Sequence, residues 1–512
     1  MIHPERLQKL NGLSWDAVPR RRARYVLYWM QAAQRVRDNH ALTFAIRRAN
    51  ERRLPVVACF GLTDGFPEAN LRHYLFMLQG LQEVERELTF RGIRFVLLRR
   101  SPAQAALALA PAAALLVTDR GYLRIQKQWR ETVARAAPCP VIQVETEVVV
   151  PVAVVSPKEE YAAATLRRKI LPCLDTYLQP LGETEPQHYS LEMELETAAA
   201  PPHGAGDDHH LPTGPPDGED GLPPAPPAPG RDPDGAGGSW SEGLLASLNI
   251  ERSVPPVTRL RGGGLEACKL LTSFINDRLR NYREAHNDPA GDGASGLSPY
   301  LHFGQISPLT IAQEVLKNND VPQEEKDAFL EELIVRRELS MNFVHYNPAY
   351  DTYEALPAWA IRSLGLHAGD ERPYRYAPEE LEGARTHDPY WNAAQREMVL
   401  TGRMQNYLRM YWGKKILEWS ATPRAAFHTA LYLNNKYALD GRDPNSFAGV
   451  AWCFGKHDRP WGERRIFGQI RYMNAAGLRR KFHMERYVSR IDALEENEKI
   501  AGKSSSSPDD AD

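Results

Sequence analysis

The chain has 512 residues, 43% of them hydrophobic and 25% charged, which suits a soluble globular protein with two or three domains. A formal net charge of -2 excludes a generally basic, DNA- or membrane-seeking chain, so any nucleic-acid site must come from local clustering. The five cysteines, Cys59, Cys139, Cys173, Cys268 and Cys453, have no C-x-x-C and no metal-ligand spacing, which points to buried thiols in a reducing compartment and to no metal site.

The N-terminal stretch MIHPERLQKLNGL lacks an apolar signal-peptide core. No run of about 18 apolar residues is present to span a bilayer. A cytoplasmic protein is therefore expected, nucleoid-associated if prokaryotic, with no membrane partner.

The first third alternates short apolar runs with helical stretches. RYVLYWM (24–30), LPVVACF (54–60), IRFVLLR (93–99), ALLVTD (114–119) and PVIQVE (140–145) read as buried strands. Between them, 70–90 carries Leu71, Leu75, Leu78, Leu81 and Leu88 at helical spacing. This alternation predicts an α/β domain over 1–185, with a Rossmann-like parallel, doubly wound sheet. No G-x-G-x-x-G follows the first strand, so the dinucleotide fingerprint is absent.

A compositional break follows. Residues 201–240 hold 11 Pro, 9 Gly and seven acidic residues, too little apolar surface to offset the entropy of ordering. A disordered or extended linker is predicted over 186–240. Its DDHH (207–210) reads as solvated linker rather than a metal site. From 241 to 490 the pattern is all-helical, with no convincing strands, and 491–512 is predicted to be a disordered tail. Arg459, Arg464, Arg465, Arg471, Arg479 and Arg480 interleave with aromatics, a composition that can bind a nucleic-acid backbone and an extruded base. On composition alone, a helical core with a solvated charged face is the better reading.

Within the helical half, GRMQNYLRMYWGKKILEW (402–419) predicts one helix. At about 100° per residue, Asn406, Arg409, Met410 and Gly413 share one sector, while Trp412 and Trp419 share another. Arg409 beside a glycine suggests close approach of an anion or flat ring, with Asp440 or Asp443 of LDGRDPN (439–445) as partner. From the helix alone, a structural ion pair and core tryptophans remain the better reading. SGLSPYLHFGQIS (295–307) offers hydroxyls and backbone N–H groups to a phosphate, or ordinary turn chemistry. In EELIVRREL (331–339), Glu332 and Glu338 are either buried proton-sharing groups or ion-pair partners of Arg336 and Arg337, pairing being commoner.

Taken in order, RGGGLEACKLL (261–271), SGLSPYLHFGQIS, EELIVRREL, the Asn–Arg–Met helix and LDGRDPNSFAGVAW (439–452) resemble the DNA photolyase/cryptochrome family over nearly the whole chain, linker and tail excepted. YWMQAAQRVRDNHAL (28–42) and THDPYWNAAQREM (386–398) look like class II cyclobutane pyrimidine dimer photolyases in particular. The resemblance implies an antenna-type α/β domain and an all-α C-terminal FAD-binding domain. Its motif matches put Tyr282, Ser295, Gly296, Leu297 and Ser298 at the phosphate and ribityl end of FAD. They put the Arg409–Asp440 pair against the flavin and Asn434 facing flavin N5.

By the same resemblance, Glu332 hydrogen-bonds the lesion, Asn406 and Met410 touch the flipped pyrimidines, and Trp452 walls their pocket. The implied chemistry is light-driven electron transfer from reduced FAD to a cyclobutane dimer in UV-damaged DNA. Asn406 and Met410 stand where (6-4) photolyases carry histidines, and neither is an acid, which favours the cyclobutane dimer. Trp412, Trp391 and Trp419 match a class II electron chain, in that order outwards. The spacing of Trp412 and Trp419, about 10.5 Å of helical rise, leaves a gap that Trp391 would bridge. The family also implies a monomer and, in the α/β domain, an antenna chromophore such as a deazaflavin or folate, for which no residue set stands out. The rival expectation on the same fold is a cryptochrome-like flavin photoreceptor. Against it stands the full set of lesion-contacting types.

Overall fold

The computed structural model describes residues 2–15, 18, 23–195 and 240–504. The α/β domain holds a six-stranded sheet in the order β1-β6-β5-β2-β3-β4. These strands are β1 (Leu7–Lys9), β2 (Tyr25–Trp29), β3 (Val56–Gly61), β4 (Arg94–Leu98), β5 (Ala113–Asp119) and β6 (Val141–Val144). All pairings are parallel except β1 with β6. Every residue of β2, β3 and β5 is buried, because helices cover both faces. Helices α1 (His40–Arg52) and α2 (Leu71–Phe90) pack on one face. Helices α3 (Pro102–Leu109) and α4 (Arg124–Ala136) pack on the other.

All five expected strands form. The sixth, β1, is a three-residue antiparallel edge whose polar Gln8 and Lys9 give no apolar signal. The chain reverses direction across the sheet between β2 and β5. In nucleotide-binding sheets of this type a glycine-rich loop at that point offers its amides to phosphate. Here Asp119 takes them: its carboxylate accepts the N–H groups of Gln31 (2.8 Å), Ala32 (2.6 Å) and Ala33 (3.0 Å).

Residues 186–195, expected in the linker, are instead docked on the sheet edge. Ser190 is fully buried. Its hydroxyl donates to Val56 O (2.6 Å) and accepts the Arg94 N–H (2.7 Å), while Met193 packs against the core on the face covered by α3 and α4. The segment thereby covers the otherwise open edge strand β4. Ser190→Ala is expected to destabilise the domain by about 1–3 kcal/mol by orphaning the Arg94 amide, read as a lowered urea midpoint. The remainder of the predicted linker, with DDHH, lies outside the described residues.

The second half is helical, and its described residues contribute only isolated bridges. Two differences from expectation stand out. Gly402 closes the preceding helix, Pro389–Thr401, at φ +67°, and the next runs Asn406–Trp419 with the Gln405 side chain capping Leu408 N–H at 3.1 Å. Also, 491–504 belongs to the helix Met484–Ser504 rather than to a tail. Ile491 is buried, and Asp492 and Glu495 both pair with Arg396 at 2.8 Å. Residues 505–512 lie outside the described set.

The halves meet through the segments that stood out in the sequence. Arg35 pairs with Glu147 (2.6 Å) and donates to Gly304 O (2.9 Å). Gly304 has φ +62°, and a Cβ there would lie 1.9 Å from Ala32 O, so only glycine allows this approach. Glu338 accepts the N–H groups of Val149 (2.5 Å) and Val150 (3.2 Å), and burial pushes its carboxyl up to about 8. It is thus an inter-domain clamp on backbone amides.

Candidate functional site

The helix Asn406–Trp419 is flanked by Pro423–Tyr437 and Pro444–Cys453, joined by the tight loop 438–443. That loop is folded back by Arg442. Its own N–H reaches Asn435 Oδ1 (3.0 Å), and its guanidinium donates to Asn435 O (2.9 Å). The fold delivers Asp440 to Arg409. The Arg409 Nη2 lies 3.7 Å from Asp440 Oδ1, and Nη1 donates to Asn434 Oδ1 at 3.1 Å. Asn434 is fully buried and donates to Ser446 Oγ at 2.5 Å.

At 3.7 Å, Arg409 and Asp440 attract as charges without a hydrogen bond. Asp440 Oδ1, though buried, has no hydrogen-bond partner in the chain. An unsatisfied buried acceptor beside a guanidinium and an amide fits a flat heterocycle with a ring N–H. The residues here therefore fit a flavin.

Around this cluster, Asn406 is exposed and Met410 half-buried, its sulfur 3.9 Å from Cys453 Sγ. Gly413 lets the two helices touch: a Cβ there would lie 2.5 Å from Cys453 Sγ. Cys453 in turn follows Trp452, whose ring lies under Arg336 (5.5 Å). Arg336 pairs with Glu332 at 3.0 Å, so Glu332, Arg336 and Trp452 form one group. Burial holds the Glu332 carboxyl above its ordinary value, with Arg336 opposing.

Gly296 adopts φ +77°, and a Cβ there would lie 2.9 Å from Arg403 Nη1. The loop 295–298 thus has a cation at its back, suited to a diphosphate. Leu297 and Tyr282 belong to one apolar cluster, and Tyr282 stacks on His286 (4.6 Å, 17°).

The three tryptophans do come together. Trp391 and Trp412 lie parallel, centroids 6.4 Å apart at 4°, and Trp391 meets Trp419 edge-on at 5.6 Å. Trp391 Nε1 donates to Trp412 O (3.0 Å), and Trp412 Nε1 to Gln395 Oε1 (2.9 Å). One feature differs from expectation: Trp419, the outermost of the series, is only 2% exposed.

Two groups do more than the sequence indicates. Arg403 acts across segments, where no local periodicity marks it, and Arg336, expected as an ion-pair partner of Glu332, also covers Trp452. Trp461 is 40% exposed and flanked by Arg459 (5.3 Å) and Arg471 (5.2 Å), so two of the arginines singled out in the sequence border an exposed aromatic. A cleft also opens at the C-terminal ends of the strands, walled by Phe60, Phe66, Tyr74, Trp129 and Phe303. Within its lining, Gln31 Nε2, Gln34 Oε1 and Arg442 Nε have no hydrogen-bond partner in the chain. Apolar walls with a few unsatisfied donors and acceptors suit a planar heterocycle. Among the described residues no cluster of His, Cys, Asp or Glu could hold a metal, and no helix is long and apolar enough to cross a membrane.

The architecture, an α/β domain docked on a helical one, is that of the photolyases and cryptochromes. A Sulfolobus tokodaii photolyase, solved with two FAD molecules, superposes with a TM-score of 0.64 at 14% identity, over 91% of this chain and 89% of that one. The DNA photolyase family profile matches residues 26–187. A deoxyribodipyrimidine photo-lyase of Methanothermobacter thermautotrophicus is 47% identical over 96% of this chain and 99% of its own length. One from Potorous tridactylus is 38% identical over 94% and 84%. The chain belongs to the DNA photolyase family, and it is an enzyme.

Proposed function

We propose that this enzyme repairs cyclobutane pyrimidine dimers in DNA, using light and FAD. The observation that carries this reading is the adjacency of two groups: Arg409, Asn434 and the unsatisfied buried Asp440 Oδ1, and the lesion-contacting types Asn406 and Met410 on the same helix with Trp452 on the packed helix Pro444–Cys453. Reduced flavin, when bound, supplies the photoexcited electron that splits the dimer.

The chain's own residues do the rest. Arg409 and Asp440 hold the ring system, and Asn434 Nδ2 and Oδ1, fixed by Ser446 and Arg409, keep the amide in one orientation. Tyr282, Ser295, Gly296, Leu297 and Ser298 line the phosphate and ribityl end, with Arg403 supplying charge. The dimer must leave the duplex to reach this site. Trp452 gives it a stacking wall, where a base gains about 1–3 kcal/mol. Asn406 and Met410 contact the pyrimidines, and the Arg459–Trp461–Arg471 surface meets the DNA strand. Trp412, Trp391 and Trp419 carry electrons to oxidised flavin. The cleft at the strand ends holds an antenna chromophore, through Gln31, Gln34 and Arg442.

The test is repair of a thymine-dimer oligonucleotide by reduced protein, in light and in darkness. Repair in light alone supports the reading, flavin binding without repair points to a photoreceptor, and absence of bound flavin refutes both. Glu332 gives a second prediction. Its raised pKa keeps the proton on in a range where a free glutamate is ionised. A protonated carboxyl donates to the dimer, so the repair rate should fall as pH rises through that raised pKa. Glu332→Gln, neutral throughout, should flatten this limb, and Glu332→Ala should slow repair about tenfold or more. An unchanged pH profile in Glu332→Gln would count against the role.

A further inference from the structure

The group around Trp452 carries one charge that its own helix does not balance. Glu331 and Glu332 are neighbours at the start of the π turn Glu331–Arg336, where the helix widens to i→i+5 hydrogen bonding. The widening brings both carboxylates near the one guanidinium at its end. Arg336 Nε lies 3.0 Å from Glu332 Oε1 and 3.8 Å from Glu331 Oε1. This nitrogen is buried and has no hydrogen-bond partner in the chain, so neither contact is a directed bond. Two like charges compete for one cation. The outcome decides whether Arg336 stays beside Glu332 and over Trp452, 5.5 Å from the ring centroid.

The competition is settled from outside the helical half. Arg167, on the helix Ala163–Ile170 that follows the sheet, forks onto Glu331. Its Nε donates to Oε2 at 2.9 Å and its Nη2 to Oε1. One guanidinium thereby takes both oxygens of Glu331, the geometry in which an arginine–carboxylate pair is strongest. The fork is held in place by its surroundings. Leu166 and Ile170 share an apolar cluster with Leu333, Ile334 and Val335 of the π turn. The segment before the helix is tied to Arg337–Tyr346, the helix that continues from that turn. Asn342 Oδ1 accepts the Glu160 N–H (2.7 Å), and the Tyr346 hydroxyl donates to Ser156 O (2.7 Å). A pair as open to water as Arg167–Glu331 adds little stability. What its fixed position does control is the charge of Glu331.

We propose that Arg167 is a positioning residue for the lesion site: by neutralising Glu331, it leaves Arg336 to Glu332 and Trp452. The inference rests on the reading of Glu332 as the carboxyl that donates to the dimer. Without Arg167, Glu331 stands as an uncompensated carboxylate beside Glu332 and draws Arg336 toward itself. Both changes act on Glu332 with one sign. A nearby negative charge disfavours its ionised form, and so does loss of the Arg336 cation. Without Glu331 the sign reverses, because the repelling charge is gone and Arg167 is left as an unpaired cation. The other titratable groups facing Glu332, His286 and the Tyr282 hydroxyl, come from the segment 282–286 and are untouched by either substitution.

The experiment is infrared titration of the Glu332 carboxyl in the FAD-loaded protein without DNA. Its protonated C=O stretch is identified as the band missing in Glu332→Gln. The midpoint should move to higher pH in Arg167→Met, move to lower pH in Glu331→Gln, and return close to the unaltered value in the double variant. Repair of a thymine-dimer oligonucleotide should follow. In Arg167→Met its alkaline limb moves up in pH, and dimer binding weakens roughly two- to fivefold as Arg336 leaves the Trp452 wall. The double variant should restore both. A purely structural tie gives losses of one kind in both single variants and no rescue in the double. A midpoint that stays in place in Arg167→Met, or that moves the same way in both single variants, overturns the proposal. If Arg167→Met does not fold, Glu331→Gln decides, and the lack of a downward shift there overturns it. Midpoints that move as expected beside an unmoved repair limb support the control of Glu332 by Arg167 and refute only the donor role of Glu332.

Discussion

Trp391→Phe is expected to abolish photoreduction of the oxidised cofactor while leaving light-dependent repair by chemically reduced enzyme in place. The reason is geometric. Trp412 and Trp419 lie on one helix, two turns and about 10.5 Å of rise apart. Trp391, from the neighbouring helix Pro389–Thr401, fills that gap, parallel to one ring and edge-on to the other. A phenyl ring there preserves much of the packing, but it is far harder to oxidise than indole and cannot hold the hole. It also removes the Nε1–H that Trp412 O accepts. Loss of that bond and a small cavity should cost about 2 kcal/mol, so the variant should remain folded and testable. Transient absorption reads photoreduction, and repair of a dimer-bearing oligonucleotide by dithionite-reduced protein reads the other activity. Loss of both, or of neither, would contradict the assignment.

Legibility in the sequence followed how local each signal is. β2, β3 and β5 announced themselves because burial on both faces demands unbroken apolar runs. β1 carries no such run, since it is an edge fixed by pairing with β6. The helix expected from Gly402 begins only at Asn406, because Gly402, at φ +67°, caps the preceding helix and Gln405 caps the next, while 403–405 are residues that suit a helix. Residues 186–195 look like linker by composition, yet one serine supplies two hydrogen bonds to the sheet.

The site divides the same way. Angular position along 406–419 separated the Arg409 face from the tryptophan face. It gave no hint that Asn434 and Asp440 would arrive from another helix and a loop, and the resemblance supplied them. Arg336 over Trp452 joins residues 116 positions apart, which no window along the chain can see. The burial of Trp419 was equally hidden, because it depends on Tyr376 and His387 folding over it from a separate segment.

The Arg409–Asp440 pair gives the other large effect. Their side chains are 13% and 10% exposed, so each charge is largely out of water and relies on the other. Replacing Arg409 by methionine keeps the apolar stem but strands the Asp440 carboxylate and takes the donor from Asn434 Oδ1. Breaking a buried pair from one side costs about 3–5 kcal/mol, which should lower the melting temperature of the apoprotein by roughly 10 °C. Asp440→Asn should cost less, because Arg409 retains Asn434 as a partner. With both replaced, no buried charge is left without its counterion. The double variant should therefore be more stable than the sum of the single losses predicts, by about 1–3 kcal/mol. Flavin affinity should behave differently. If Arg409 and Asp440 each face the ring, the double variant recovers stability but not binding, and reconstitution with FAD should stay at least about tenfold weaker, the equivalent of about 1.4 kcal/mol. Additive stability losses would show that a separation of 3.7 Å leaves the two charges uncoupled. Recovery of binding together with stability would make the pair a structural tie and not a cofactor contact.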